Sequence, residues 1–233
     1  MFLSMNNLDE ENPSNFKTMT SDDSENNTLK KPIILESYKQ TTNYTGASSA
    51  LLSILHFFDE NFELNEDNEL DIWLSTVILP TRASSVFGLA LYAKKKGLDP
   101  KIIIEDANYT YPDYRFKRYT KKQILLAEKI ADRYKMKCES EGIIIVEKDF
   151  DVNFIDSLLE KRKILLLRVN AGRLRGTKST SKYIVVYKRA HDRNKYFIID
   201  PRRRRKKVTR EMLEESLIEL RTKKKREKCM IVF

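Results

Sequence analysis

Few side chains in this sequence have the chemistry for nucleophilic catalysis or metal binding. The 233 residues include only two cysteines, Cys138 and Cys229, and two histidines, His56 and His191. These four residues lack the close spacing of zinc ligands, and two distant thiols do not form a disulfide framework. The sequence therefore predicts no metal site, no cofactor and two ordinary thiols.

One segment places a glutamine and several hydroxyl groups just before a helix. Gln40 precedes Tyr44 and Thr45, and apolar residues at 51, 52, 54, 55 and 58 follow at helical spacing. The start of a helix offers free backbone N–H groups and partial positive charge. Both lower the pKa of a thiol and stabilise an oxyanion. A nucleophile here would be activated, and the upstream glutamine would add an oxyanion donor.

A second set of candidate residues lies at the ends of strands in the C-terminal half. An apolar run predicts a buried strand at 164–169, and further strand candidates follow at 182–187 and 195–199. Lys182 begins the second of these strands. Asp200, in the sequence Ile-Ile-Asp-Pro, ends the third.

In this order, the segments resemble the bacteriocin-processing (double-glycine leader) cysteine peptidases of the papain-like superfamily. That family has a glutamine and then Tyr-Thr-Cys-Gly-Pro-Ala at the start of a helix, which Gln40, Tyr44 and Thr45 match. Its catalytic histidine begins a strand, where Lys182 lies, and the aspartate that orients the histidine corresponds to Asp200.

Other segments extend the resemblance to about residues 33–233. Phe-Gly-Leu-Ala at 87–90 is similar to the family's second helix, and the chain end at 229–233 resembles its closing strand. The resemblance implies an α+β papain-like fold, with N-terminal helices packed on an antiparallel sheet.

Two positions depart from the family's catalytic set. Gly46 occupies the place of the cysteine, and Lys182 that of the histidine. Cysteine catalysis needs a thiolate and a base to form it, and a solvated lysine is a cation near neutral pH. We therefore interpret Gln40, Gly46, Lys182 and Asp200 as degenerate catalytic positions. The expected protein is not an enzyme but a peptide-binding, protein-binding or accessory module.

An alternative is a residual hydrolase with Ser/Lys chemistry. Thr45, Ser48 and Ser49 flank the lost nucleophile, and Lys182 lies where the base would be. This chemistry exists in other enzymes but requires a buried lysine with a lowered pKa. In the simpler interpretation, Ser48 and Ser49 cap the helix and Lys182 pairs with Asp200.

A third interpretation is a nucleic-acid-docking accessory protein that uses residues 202–228. The chain has a formal charge of +10, and clustered cations can neutralise phosphates. The candidate polyanion-binding residues are Arg202, Arg203, Arg204, Arg205, Lys206, Lys207, Lys223, Lys224, Lys225 and Arg226. Aromatic residues that could stack on bases are Tyr109, Tyr111, Tyr114 and Phe116. The alternative is a solvated charged surface.

Several elements must position these residues. Periodicity predicts helices at 48–58, 71–79, 84–96, 120–137, 151–161 and 209–220. It predicts strands at 101–105, 143–146, 164–169, 182–187, 195–199 and 228–233. Residues 1–31 contain six acids, three lysines and few apolar residues, so we predict a disordered acidic tail before a single domain at 32–233.

No apolar run approaches the roughly 20 residues of a membrane helix, and no signal peptide is evident. We expect a cytoplasmic protein that does not bind membranes.

Overall fold

The computed structural model describes residues 33–108, 118–192 and 194–233. Two predictions fall outside these residues. They are the acidic tail at 1–31 and the four aromatic residues Tyr109, Tyr111, Tyr114 and Phe116.

Seven helices and nine strands make up the described chain. The helices are α1 (Gly46–Phe58), α2 (Glu66–Thr76), α3 (Val86–Lys95), α4 (Lys121–Ser140), α5 (Val152–Glu160), α6 (Ala171–Arg175) and α7 (Arg210–Lys224). The strands are β1 (Val77–Ile78), β2 (Ala83–Ser84), β3 (Lys101–Ile104), β4 (Ile145–Glu147), β5 (Leu165–Asn170), β6 (Ser181–Arg189), β7 (Lys195–Asp200), β8 (Arg204–Thr209) and β9 (Cys229–Val232).

Seven of the strands form one sheet in the order β4-β3-β9-β5-β6-β7-β8. All neighbouring pairs are antiparallel except β3 and β4, which run parallel. A parallel pair needs a long crossover connection, and α4 supplies it between these two strands. The α+β prediction is confirmed, with this one parallel edge pair added to the antiparallel sheet.

Helices cover both faces of the sheet. On one face, Leu51 of α1, Leu89 of α3 and Leu166 of β5 share a buried cluster. On the other face, Leu165 of β5 packs in a second cluster with buried side chains of α5 and α7. Because both faces of β5 are buried, its sequence opens with three consecutive leucines rather than alternating apolar and polar residues.

Local signals explain where two predicted helices begin and end. The helix predicted at 71–79 starts earlier, because the Asn65 side chain accepts a hydrogen bond from the Asn68 N–H (2.9 Å) and caps α2. It stops at Thr76, after which β1 pairs with β2. The helix predicted at 84–96 is α3, and Gly97 follows it with φ 86°, as expected of a helix-ending glycine.

Four elements were not predicted at all. They are the short paired strands β1 and β2, helix α6 in the connection at 170–181, and strand β8, into which the cation run at 202–207 continues. In the described parts of the chain, no helix is long and apolar enough to cross a membrane.

Candidate functional site

Several hydroxyl groups surround the start of α1, but none of them caps the helix. Thr45 is the N-cap residue but makes no side-chain cap; its hydroxyl lies 3.0 Å from that of Thr42. Ser49 donates instead to the Tyr38 carbonyl (2.9 Å). The buried Ser48 hydroxyl has no hydrogen-bond partner in the described structure. The prediction that Ser48 and Ser49 cap α1 was wrong, because both lie inside the first turn.

Gln40 and Gly46 are in direct contact. Gly46 is the first residue of α1 and is buried. A Cβ atom added to it would lie 2.7 Å from Gln40 Oε1 and 3.9 Å from Pro201 Cβ. The Gln40 backbone N–H donates to the Pro201 carbonyl (2.9 Å), which holds this segment against the end of β7. The amide of Gln40 thus occupies the space in which a side chain at position 46 would begin.

Lys182 faces the same region but does not pair with Asp200. It is the second residue of β6, and its Nζ donates to the Asn43 carbonyl (2.8 Å). Burial, together with the nearby guanidinium groups of Arg175 and Arg202, lowers the pKa of Lys182. The predicted Lys182–Asp200 ion pair is therefore wrong.

Asp200 is paired with an arginine that the sequence did not single out. Arg175 donates to both carboxylate oxygens, from Nε at 2.8 Å and from Nη2 at 2.5 Å. The Arg202 backbone N–H donates to Asp200 as well (3.0 Å). Both side chains of the pair are almost fully buried, with 3% and 1% of their areas exposed. Asp200 therefore neutralises Arg175 at the base of the site.

Glycines and an asparagine place Arg175 within reach of Asp200. The Asn170 side chain accepts hydrogen bonds from the N–H groups of Gly172 and Thr180, which fixes the turn on both sides of α6. Gly176 then ends α6 with φ 65°. Asn before and Gly after a short segment are the signals that could have revealed this helix.

Two adjoining recesses open beside these residues, with volumes of about 610 and 510 Å³. Asn43, Thr180 and Lys182 line both of them, and Gln40 lines the second. Tyr44 forms part of one wall of the first recess. Trp73 packs against it, with ring centroids 4.8 Å apart and ring planes tilted by 46°. We call the two recesses together the cleft.

Cysteines and histidines lie away from the cleft. Cys138 donates to the Phe87 carbonyl, and burial with the nearby Glu139 charge raises its pKa to about 12. Burial also raises the pKa of Cys229. His56 belongs to the last turn of α1, at the opposite end from Gly46. Among the described residues, no group of three or more His, Cys, Asp and Glu side chains could hold a metal ion.

The predicted polyanion-binding residues are distributed over different elements. Arg202 and Arg203 lie in a turn, and β8 is an edge strand that pairs only with β7. Because side chains alternate along a strand, consecutive cations of β8 point to opposite faces of the sheet. Lys207 lies 4.8 Å from the Phe197 ring on one face, whereas Lys206 donates to the Leu174 carbonyl.

The second group, Lys223, Lys224, Lys225 and Arg226, ends α7. There, Lys223 pairs with Glu219. Nucleic-acid binding by these residues stays a prediction. If it occurs, affinity for RNA falls steeply with salt, and neutralising Arg202–Arg205 together flattens that dependence.

A family model agrees with the resemblance drawn from the sequence. A search of solved structures finds a crystal structure of a double-glycine motif protease from an AMS/PCAT transporter in complex with the leader peptide. It is 12% identical, with a TM-score of 0.44, and the match covers 85% of this chain and 91% of that one. No curated protein sequence matches significantly. A family model described as "Peptidase_C39 like family" matches residues 35–226. The chain belongs to this C39-like peptidase family.

Proposed function

We propose that this C39-like domain does not cleave peptides and instead binds a peptide or protein segment in the cleft beside α1. The contact between Gln40 and Gly46 carries this proposal. Position 46 has no side chain, and the Gln40 carboxamide lies 2.7 Å from the point where one would start. An amide oxygen at this point accepts hydrogen bonds and supplies no nucleophile.

The second support is the surroundings of Lys182. A general base must lie within hydrogen-bond distance of the group that it deprotonates. The hydrogen bond of Lys182 goes to the Asn43 carbonyl, and the hydroxyls of Thr45 and Ser49 bond to Thr42 and Tyr38. The lowered pKa of Lys182 is what Ser/Lys chemistry would need, but these contacts do not give the lysine a hydroxyl to activate.

A binding role uses the parts of the site that remain. The cleft is large enough for several side chains of a peptide, since ligand pockets typically measure about 300–1,000 Å³. The buried Arg175–Asp200 pair fixes its floor, and β6 and the Tyr44–Trp73 pair form its walls. A cleft built in this way can bind a peptide without cleaving it.

Cleavage and binding are tested separately. The full chain is incubated with a synthetic peptide that carries a Gly-Gly site, and products are followed by mass spectrometry. We expect no cleavage. Cleavage that Ser48→Ala or Lys182→Ala abolishes would establish the Ser/Lys hydrolase instead.

For binding, peptides are selected from a phage library of short random sequences. Thr180→Trp fills the cleft, because Thr180 lines both recesses. It should remove binding of the selected peptides, whereas Ser140→Trp, on the exposed end of α4, should not. Equal binding by both variants would place the binding surface elsewhere.

A further inference from the structure

The cleft is lined by cations and, among the described residues, by no acid. Its two recesses include Arg82, Arg118, Lys178, Lys182, Arg202 and Lys224, in addition to Arg175. No Asp or Glu from the described chain lines either recess. Within the described ranges, Asp200 is the one carboxylate at the base of the site, and it is 1% exposed and already bonded to Arg175. The charge that faces the opening is therefore strongly positive.

Elsewhere, this basic protein pairs many of its cations with carboxylates. Arg173 contacts Glu215, and Arg210 contacts Asp156. By contrast, no carboxylate of the described residues lies within ion-pair distance of Lys182 in the cleft. The same holds for Lys178 and Arg202, which are both exposed. Like charges held together without a counterion destabilise a fold, so their collection in one concave site points to a ligand.

Lys182 lies within this positive field. Burial and, to a smaller extent, the neighbouring charges of Arg175 and Arg202 lower its pKa. A carboxylate that entered the cleft would favour the ionised lysine, so an anionic ligand and the charged form of Lys182 would stabilise each other.

The walls favour a peptide over a nucleic acid. Single strands are held by a positively charged groove together with bases that stack on free aromatic faces. In the cleft, the Tyr44 ring is already packed against Trp73 on one side, and the Arg82 guanidinium lies 5.2 Å from its centroid. The Trp73 indole N–H also donates to the Arg82 carbonyl (3.2 Å). Arg82 can bind a carboxylate or a phosphate in a bidentate manner, so the preference for a peptide rests on the occupied Tyr44 ring, which leaves Tyr119 as the other aromatic side chain among the described lining residues.

We propose that the cleft binds an acidic peptide segment, whose Asp or Glu side chains contact Arg82, Lys182 and Arg202. This inference rests on the proposed binding function and names the chemistry of its ligand. Selectivity arises because an acidic peptide brings carboxylates to Lys178, Lys182 and Arg202, which have none within ion-pair distance among the described residues, whereas a neutral peptide brings none.

Isothermal titration calorimetry of the full chain with three unlabelled probes tests the proposal. They are a peptide of alternating Glu and Gly, the same peptide with Gln in place of Glu, and single-stranded DNA of equal charge. We expect the Glu peptide to bind at least about tenfold more tightly than the Gln peptide, equivalent to about 1.4 kcal/mol. Its affinity should fall as salt rises toward about 0.15 M, because screening weakens the contacts.

Variants then locate the binding. Lys182→Gln with Arg202→Gln should raise the Kd of the Glu peptide about tenfold. Lys161→Gln with Lys163→Gln removes the same charge from exposed residues at the opposite end of β5 and should leave Kd unchanged. If the first pair disturbs folding, Arg82→Gln with Lys178→Gln makes the same test at exposed positions.

The outcomes separate the two proposals. Equal binding of Glu and Gln peptides, lost in Thr180→Trp, would overturn the acidic preference and leave the binding function intact. If neither the Glu and Gln peptides nor any library peptide binds the protein, both the binding function and the acidic preference are overturned. Tighter, cleft-dependent binding of the DNA would assign the cleft to nucleic acid. Equal losses of affinity in the Lys182/Arg202 variant and in the Lys161/Lys163 control would show that net charge alone explains the binding.

Discussion

The buried Arg175–Asp200 pair allows a quantitative test of the site's construction. In Arg175→Met, the Asp200 carboxylate keeps a hydrogen bond from the Arg202 N–H but loses both from the guanidinium. Only 1% of the Asp200 side chain is exposed, so water cannot replace them. Leaving one charge of a buried pair unpartnered costs about 3–5 kcal/mol.

That cost is measurable by chemical and thermal unfolding. For a chain of this size, each kcal/mol lowers the melting temperature by about 2–4 °C, so Arg175→Met should melt roughly 10 °C below the wild type. Arg173→Met is the matched control on the same helix. Its ion pair with Glu215 is about half exposed, and such pairs contribute about 0–1 kcal/mol.

The double variant Arg175→Met with Asp200→Leu completes a double-mutant cycle for the stability of the pair. It removes both charges and leaves mainly the Arg202 N–H without its acceptor, a loss of about 1–3 kcal/mol. We therefore expect the double variant to be more stable than Arg175→Met alone. If Arg175→Met costs no more than Arg173→Met, or if the two substitutions are additive, the pair does not hold the floor of the cleft and this account of Asp200 is refuted.

Three further predictions concern other parts of the structure. Cys138 and Cys229 are buried with raised pKa values, so a thiol reagent at pH 8 should modify neither in the native protein and both in denaturant; rapid native labelling would contradict their burial. Gly46→Ala should cost only about 0.5–1.5 kcal/mol, because its clash is with the movable end of the Gln40 side chain, and a second substitution, Gln40→Ala, should recover that loss in a denaturant titration. Asp151→Ala should cost about 1 kcal/mol at neutral pH by removing the N-cap of α5. Because the cap's hydrogen bond with the backbone lowers the pKa of Asp151 below its ordinary value, its contribution is complete above about pH 4 and is lost as the pH falls further; a cost that is the same at pH 2 and pH 7 would contradict this assignment.

The sequence predicted those parts of the site that depend on chain order. A glutamine before a helix start and an Asp-Pro pair after a strand are local patterns, so the sequence alone could locate Gln40, Gly46 and Pro201. In the structure, Gln40 and Gly46 contact each other, and Pro201 lies beside them. The positions of β5 and β6 along the chain follow from largely apolar segments, because the centres of both strands are buried. These signals are carried by residue type and spacing alone.

The missed parts depend on contacts that have no periodic signal. A five-residue helix such as α6 is too short to show helical spacing, so Arg175 could not be assigned to Asp200. Strand β8 was missed because arginine and lysine are poor strand formers; its strand structure comes from pairing with β7. The parallel pairing of β3 with β4 is likewise set by packing rather than by composition.

The basic character of the chain therefore has two different structural explanations. Arg204–Lys207 lie on an edge strand, where charged side chains prevent pairing with strands of other molecules. This role accounts for consecutive cations whose side chains alternate between two faces of the sheet. It does not account for Lys178 and Lys182, which are drawn from the connection before β6 and from β6 itself. Residues from separate elements converge in a cleft for a reason other than edge protection. The proposed acidic peptide would supply that reason, because its carboxylates would pair with Lys178 and Lys182, which have no carboxylate within ion-pair distance among the described residues.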